Sequence, residues 1–286
     1  MSNMHASKLF DVKDKVVLVT GGGRGIGEMI AEGYVSNGAK VYIASRDIKA
    51  CEATAARLNK QGPGKCYAMA ADLSKYEDIV KLIDELSKKE QTLNVLVNNS
   101  GANWGAPLDE YPDQAFSKVM NLNVNKVFTI TQKALPLLRN AQKKDGVARV
   151  INIGSVNGVD PPALETYAYS ASKAALHQYV LPLPPERSQK AKLALSPDSL
   201  SRVLASRLGP EGITVNTLAC GPFQSKMMAV TLEKFEKSIV EGLPLGRIGT
   251  PEDVSGVCLF LSSRAGAYTT GATIPVDGGS LVKAKL

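Results

Sequence analysis

The sequence predicts an α/β fold in which one parallel, doubly wound sheet of seven strands carries helices on both faces. Short, apolar, β-branched runs alternate with helix-periodic stretches, and a glycine-rich turn separates the first run from the first helix. The runs are mostly unalternated, as in strands buried on both faces. Successive parallel strands need right-handed helical crossovers, which the intervening stretches supply.

In order, the predicted strands are Val16-Val17-Leu18-Val19, Val41-Tyr42-Ile43-Ala44, Cys66-Tyr67-Ala68-Met69-Ala70 and Val95-Leu96-Val97. Val150-Ile151-Asn152-Ile153, Ile213-Thr214-Val215-Asn216 and Thr273-Ile274-Pro275-Val276 complete the set. Helical patterning covers Asp47–Leu58, Ile79–Lys88 and Ala115–Leu138. A further helix begins near Ala174 but meets Pro182, Pro184, Pro185 and later Pro197. A proline inside a helix costs about 3 kcal/mol, so this helix must end near Leu181 or bulge out. The pattern resumes at Leu200-Ser201-Arg202-Val203-Leu204-Ala205, which marks residues 179–199 as an insertion within one long helix.

No Ser- or Gly-rich linker and no internal repeat divides the 286 residues, so one domain over 1–286 is expected. Hydrophobic residues make up 44% and charged residues 21%, which excludes a disordered chain, a collagen-like repeat and a coiled coil. No stretch approaches the roughly 18 apolar residues that a membrane-spanning helix needs. The formal net charge of +7 suits an anionic ligand such as a phosphate-bearing cofactor. The basic residues are dispersed rather than clustered, which argues against nucleic acid. Cys51, Cys66, Cys220 and Cys258 form no Cys-x-x-Cys pair, and with only His5 and His177 beside them they predict free thiols and no metal site. Met1 to Lys15 lacks a signal-peptide core and reads as a disordered lead-in. Ala284-Lys285-Leu286 approximates the Ser-Lys-Leu peroxisomal address, with a cytoplasmic location as the alternative.

The first strand runs into Thr20-Gly21-Gly22-Gly23-Arg24-Gly25-Ile26-Gly27, and a helix follows. Glycines permit positive φ and let backbone amides approach a pyrophosphate, while the helix N-terminus supplies free N–H donors. At the end of the second strand an acidic residue would accept from a free ribose 2′-hydroxyl. Here Ala44-Ser45-Arg46-Asp47 places Ser45 in that slot and Arg46 next to it. Arg24 and Arg46 converging on a 2′-phosphate favour NADP(H) over NAD. Asp47 reads as the N-cap of the next helix, the rival reading making it the ribose acceptor.

Tyr169 and Lys173 are four apart and share a helix face. An adjacent ammonium is expected to lower the pKa of the phenol from near 10 and let it exchange a proton near neutral pH. Ser155 follows the fifth strand, at the edge where ligands collect in open sheets, and can hold a carbonyl oxygen beside Tyr169.

With these motifs together the chain resembles the NADP-dependent short-chain dehydrogenases/reductases. The matching residues are Thr20, Gly21, Gly25 and Gly27, then Asn98-Asn99-Ser100-Gly101, Asn123, Ser155, Tyr169, Lys173 and Val276-Asp277-Gly278-Gly279. The resemblance implies a Rossmann-like fold. It implies Tyr169 as general acid in reduction, Lys173 as ribose holder, Ser155 as carbonyl binder and Asn123 as holder of a relay water. It further implies that Asp72 contacts the adenine, that Leu73 beside it belongs to the cofactor site, that Asn98 steadies the sheet and that Ser225 meets the carboxamide. Gly21, Arg24, Gly25, Ile26, Gly27, Arg46, Asn99 and Gly221 complete the cofactor site. Asn103-Trp104-Gly105-Ala106 and the segments around Ser155 and Lys173 look most like 3-oxoacyl thioester reductases of the rhamnolipid type. Trp104 would then sit at the substrate mouth, ordinary packing being the other reading, and His177 would pack the helix.

Two departures stand out. Cys220 replaces the family's usual proline before Gly221 and is expected to loosen that loop. The insertion at 179–199 falls in the helix that usually builds a dimer face, so a homodimer or homotetramer is implied but questioned. It is either a natural loop or a translated unspliced segment. The expected activity is reduction of a 3-oxoacyl thioester with NADPH. The alternatives are oxidation of a secondary alcohol, polyol or steroid, an enoyl- or dienoyl-thioester reductase without such a tyrosine, and a nucleotide-binding variant disabled by the insertion.

Overall fold

The computed structural model describes residues 4–162, 164–176 and 199–282. His177, residues 179–198 of the expected insertion and the Ala284-Lys285-Leu286 tripeptide lie outside the described residues.

Seven parallel strands form one sheet: β1 (Val16–Thr20), β2 (Lys40–Ser45), β3 (Lys65–Ala70), β4 (Val95–Asn98), β5 (Ala148–Ile153), β6 (Ile213–Cys220) and β7 (Thr273–Val276). Their order is β3-β2-β1-β4-β5-β6-β7, so the chain reverses direction across the sheet between β1 and β4. In open α/β sheets a ligand crevice forms at such a switch point, outside the carboxyl ends of the strands. Thr20 ends β1, Asn98 ends β4 and Ile153 ends β5, so the sequence-predicted site residues gather at that edge.

Helices cover both faces: α1 (Gly25–Ser36), α2 (Ile48–Leu58), α3 (Tyr76–Lys89), α4 (Asp113–Met120), α5 (Lys126–Asp145), α6 (Tyr167–Leu176), α7 (Leu200–Leu208), α8 (Ala229–Glu241) and α9 (Pro251–Ser262). Alternate residues of the central strands feed two separate cores. Val17, Val19, Val95 and Val97 pack with Ile30, Tyr34, Val254 and Leu261 on one face. Leu18, Leu96 and Val150 pack with Leu82, Leu86, Leu138 and Leu208 on the other. This double burial is why the strands read as continuous apolar runs. Pro275 is tolerated because β7 is an edge strand.

The structure extends or divides several predicted elements. β6 continues to Cys220 because Thr217, Leu218, Ala219 and Cys220 pair with β7. The predicted helix 115–138 is two helices, α4 and α5, joined by a π-helical turn at Asn121–Asn125. α5 runs on to Asp145 and stops at Gly146, whose φ of 65° suits a left-handed cap. The lead-in is not disordered from residue 4 onward: Val12 is 1% exposed and the Leu9 carbonyl accepts from the Ala265 amide at 2.9 Å.

Helical structure resumes at Leu200 as expected, with Ser199 as its N-cap. The Thr217 hydroxyl on β6 lies 3.4 Å from the Leu176 carbonyl and 2.8 Å from the Ser201 hydroxyl, so the end of α6 and the start of α7 meet over one residue. Ser201 also accepts from Asn152 Nδ2 at 2.8 Å, and Asn152 Oδ1 accepts from Asn98 Nδ2 at 2.8 Å. These buried side chains form a polar ladder across β4, β5 and β6.

Candidate active site

The glycine turn is shaped by its contacts with the end of β4. Thr20 Oγ1 donates to the Val97 carbonyl at 3.2 Å and accepts from the Asn99 and Ser100 amides at 2.9 and 3.0 Å. Asn99 Nδ2 donates to the Thr20 and Gly21 carbonyls at 2.9 and 3.2 Å. Gly21 has φ 66°, and a Cβ at Gly27 would fall 2.4 Å from the Gly21 carbonyl oxygen. No side chain caps the N-terminus of α1, where Arg24 takes the N-cap position. The first-turn amides of a helix have no intrahelical partner, so those of Gly25, Ile26 and Gly27 remain available as donors. This fits a pyrophosphate.

Asp47 caps α2 as predicted, its Oδ1 accepting from the Ala50 amide at 3.2 Å, and its other oxygen pairs with the Arg24 guanidinium. The Ala50 amide, and after it Arg24, holds the Asp47 carboxyl below the usual carboxylate range. Arg24 is thereby anchored at the end of β2, next in space to the segment that carries Arg46. Asp72 accepts from the Ser74 hydroxyl and amide at 2.7 and 3.1 Å, which lowers its pKa, and Leu73 beside it is buried.

Beyond β6 the chain folds back over the glycine turn. The Gly221 amide donates to the Val276 carbonyl at 3.0 Å, and a Cβ at Gly221 would meet Asp277 Cα at 2.7 Å. Cys220 itself pairs with Val276, so strand pairing holds the segment that its replacement of proline was expected to loosen. Ser225 lies against Gly25, its Cβ 3.0 Å from where a Cβ of that glycine would be, and it accepts from the Met228 amide at 3.3 Å. A cavity of about 500 Å³ opens beside this contact, lined by Glu28, Met29, Lys226 and Pro251 among others.

Ser155, Tyr169 and Lys173 come together at the end of β5. Ser155 directly follows Gly154, whose amide is held by the Leu218 carbonyl at 2.7 Å. The Ser155 hydroxyl hydrogen-bonds the Tyr169 side chain. Lys173 Nζ stands 5.5 Å from the centre of the Tyr169 ring and donates to the Ile153 carbonyl at 2.6 Å.

The pKa of the phenol runs against the expectation from spacing. Burial pushes Tyr169 up to about 12, with the Ser155 hydrogen bond opposing. Burial also brings Lys173 down to about 8. A low-dielectric environment penalises phenolate and ammonium alike. Cys220 adjoins this pair; burial raises its thiol to about 12, with Lys173 opposing.

Asn123 reaches the group through a neighbour that the sequence reading missed. Its carboxamide clamps the backbone of Ala102, accepting from the amide at 2.8 Å and donating to the carbonyl at 2.9 Å. Its remaining amide hydrogen goes to Ser172 Oγ at 2.9 Å. The signal was present, since Ser172 lies three residues after Tyr169 on the helix face they share. Trp104 is 46% exposed. Its carbonyl accepts from the Tyr111 hydroxyl at 3.2 Å, and nearby Ala106 is tied to the Glu165 carbonyl just before α6 at 3.2 Å. All four cysteines are free and buried, and no cluster of three metal-ligating side chains occurs among the described residues.

Comparison with known proteins gives the same picture. A family model described as short chain dehydrogenase matches residues 15–193, and one described as Enoyl-(Acyl carrier protein) reductase matches residues 188–280. The rhamnolipids biosynthesis 3-oxoacyl-[acyl-carrier-protein] reductase of Pseudomonas aeruginosa is 42% identical over 273 residues, covering 94% of this chain and 97% of that protein. The solved Pseudomonas aeruginosa RhlG/NADP active-site complex superposes with a TM-score of 0.85 at 41% identity, covering 98% of this chain and 100% of that one. A gluconate 5-dehydrogenase from Burkholderia cenocepacia, in complex with NADP and tartrate, gives a TM-score of 0.81 at 25% identity over 98% of this chain and 100% of that one. With its glycine turn, its sheet order and these matches in agreement, the chain belongs to the short chain dehydrogenase family.

Proposed function

We propose that this protein reduces the carbonyl of a 3-oxoacyl thioester to the 3-hydroxy compound with NADPH. The observation that carries the reading is the Tyr169 phenol held by Ser155 and overlain by Lys173 at the carboxyl edge of the sheet. The identity to a 3-oxoacyl-[acyl-carrier-protein] reductase, spread along nearly the whole chain, supports the substrate class. The uncapped start of α1 and the Arg24 guanidinium at the end of β2 support a dinucleotide with a 2′-phosphate. When bound, NADPH supplies the hydride that the carbonyl carbon receives.

The chain's own residues do the rest. Gly21, Gly25, Ile26 and Gly27 present backbone to the pyrophosphate, and Arg24 with Arg46 meets the 2′-phosphate. Asp72, Leu73 and Asn99 line the adenine side, while Gly221 and Ser225 line the carboxamide side. Ser155 donates to the carbonyl oxygen and polarises it. Tyr169 gives that oxygen its proton, and a phenol kept protonated by burial is in the right state to donate. Lys173 places positive charge near the phenolate left behind. Asn123, on the π-turn, completes the constellation through its bond to Ser172.

The test is NADPH oxidation with 3-oxoacyl thioesters of several chain lengths, compared with simple ketones and secondary alcohols. Tyr169→Phe is expected to lower turnover by orders of magnitude while NADPH still binds. Near-normal turnover in that variant would overturn the reading, and preference for an alcohol in the oxidative direction would replace the substrate class.

A further inference from the structure

Ser172 directly precedes Lys173 and is 0% exposed. Its hydroxyl donates to the Tyr169 carbonyl at 2.7 Å and accepts from Asn123 Nδ2 at 2.9 Å. The same residue thus touches the helix that carries Tyr169 and Lys173 and the π-turn that carries Asn123. Serine inside a helix is a poorer helix former than alanine, and bonding back to a carbonyl one turn earlier offers the helix little. The bond to Asn123 crosses between elements, and it consumes the last amide hydrogen of that carboxamide.

The junction lies close to the chemistry. A Cβ at Gly101 would fall 3.2 Å from Asn123 Oδ1 and 3.9 Å from Lys173 Nζ. The carboxamide oxygen and the ammonium therefore border one small space, left open by the missing side chain of a glycine. Whatever fixes the carboxamide also fixes the polar surroundings of Lys173.

We propose that Ser172 is a positioning residue for carbonyl reduction: its hydroxyl locks the π-turn to α6 and so sets Tyr169 and Lys173 against the Asn123 carboxamide. This rests on the reductase reading above. Ser172 itself touches no reacting group. Its removal would leave one buried amide hydrogen of Asn123 without a partner and free the two elements to shift. Misplacement by about 1 Å costs on the order of 100-fold in rate.

The experiment measures kcat, KM for NADPH, the pH profile of kcat and thermal stability for Ser172→Ala and Ser172→Cys, with Tyr169→Phe alongside. For Ser172→Ala the expected result is a fall in kcat of about 10- to 100-fold, with KM for NADPH near wild type, a displaced pH profile and a melting temperature lowered only by the few degrees that one unpaired buried amide hydrogen costs. Ser172→Cys, which keeps the volume and a weak hydrogen-bonding group, is expected to fall between alanine and wild type. An alanine variant with unchanged kcat and profile overturns the proposal. So does one whose loss of rate is matched by equal losses of cofactor affinity and stability, since that marks a structural role only. If the alanine variant fails to fold, the cysteine variant decides on the same two criteria. Activity retained in Tyr169→Phe would instead sink the reductase reading, which keeps the two failures apart.

Discussion

Lys173 Nζ donates to the Ile153 carbonyl at 2.6 Å, on the last residue of the strand that delivers Ser155. The lysine is therefore docked on the same strand end that leads into Ser155, and the docking site is dry. Burial brings Lys173 down to about 8 from its ordinary 10.5. Below pH 8 the group is protonated in both folded and unfolded chains, so it adds no slope there. Between pH 8 and 10.5 the unfolded chain holds a proton that the folded chain has released. Stability therefore rises with pH across that window as far as this group is concerned. At pH 7 the buried ammonium costs on the order of 3 kcal/mol, offset in part by its bond to Ile153. Lys173→Met is expected to abolish turnover and to melt at or above the wild-type temperature at pH 7. That advantage should shrink between pH 8 and 10.5, as thermal unfolding at pH 7 and pH 10 would show.

Arg24 is held at the end of β2 by Asp47. A charge-assisted hydrogen bond to a phosphate contributes about 1.5–3 kcal/mol, or roughly 10- to 100-fold in affinity. Arg24→Ala is expected to raise KM for NADPH by about that factor and to change KM for NADH much less. Steady-state kinetics with both nucleotides checks it, and equal effects on the two would remove Arg24 from 2′-phosphate recognition.

A methyl group at Gly27 would sit 2.4 Å from Asn99 Nδ2 and from the Gly21 carbonyl oxygen. The first is the tip of a side chain just past β4 that is hydrogen-bonded to the glycine turn, and the second is backbone of the turn itself. Gly27→Ala is expected to weaken NADPH binding at least about tenfold and to lower the melting temperature, because the turn must move away from β4. Fluorescence titration and thermal melting on the same preparation read both effects.

How much of this was legible in the sequence depends on which force decides each feature. The strands were legible because burial on both faces demands apolar β-branched runs, and Val16–Val19 or Val150–Ile153 can be little else. The far end of β6 was not, since Ala219 and Cys220 extend the strand past its pairing with β5 by pairing with β7 alone. Tyr169, Lys173 and Ser155 were legible as a set because helix periodicity and strand-end placement bring them to one edge. The π-turn at Asn121–Asn125 was hidden, because an i→i+5 bond arises from tertiary packing rather than local propensity. The raised pKa of Tyr169 was also hidden. Spacing shows that an ammonium is near but not how dry the site is, and dryness wins here.

Ser201 joins Asn152 and Thr217 in the buried ladder. Ser201→Ala would leave the Asn152 amide without that acceptor, at a cost of about 1–3 kcal/mol. The expected outcome is a melting temperature lower by several degrees with kcat close to wild type, since no reacting group is touched. A large loss of kcat without loss of stability would contradict that division.

Thr217 gives the chain an unusual freedom in its design. One hydroxyl on β6 docks the last described turn of α6 and the first turn of α7 side by side, each on its own contact. Both contacts are made to the strand beneath them. A foreign epitope or reporter spliced into that connection should therefore leave Tyr169 and Lys173 in place, making it a natural port for engineering.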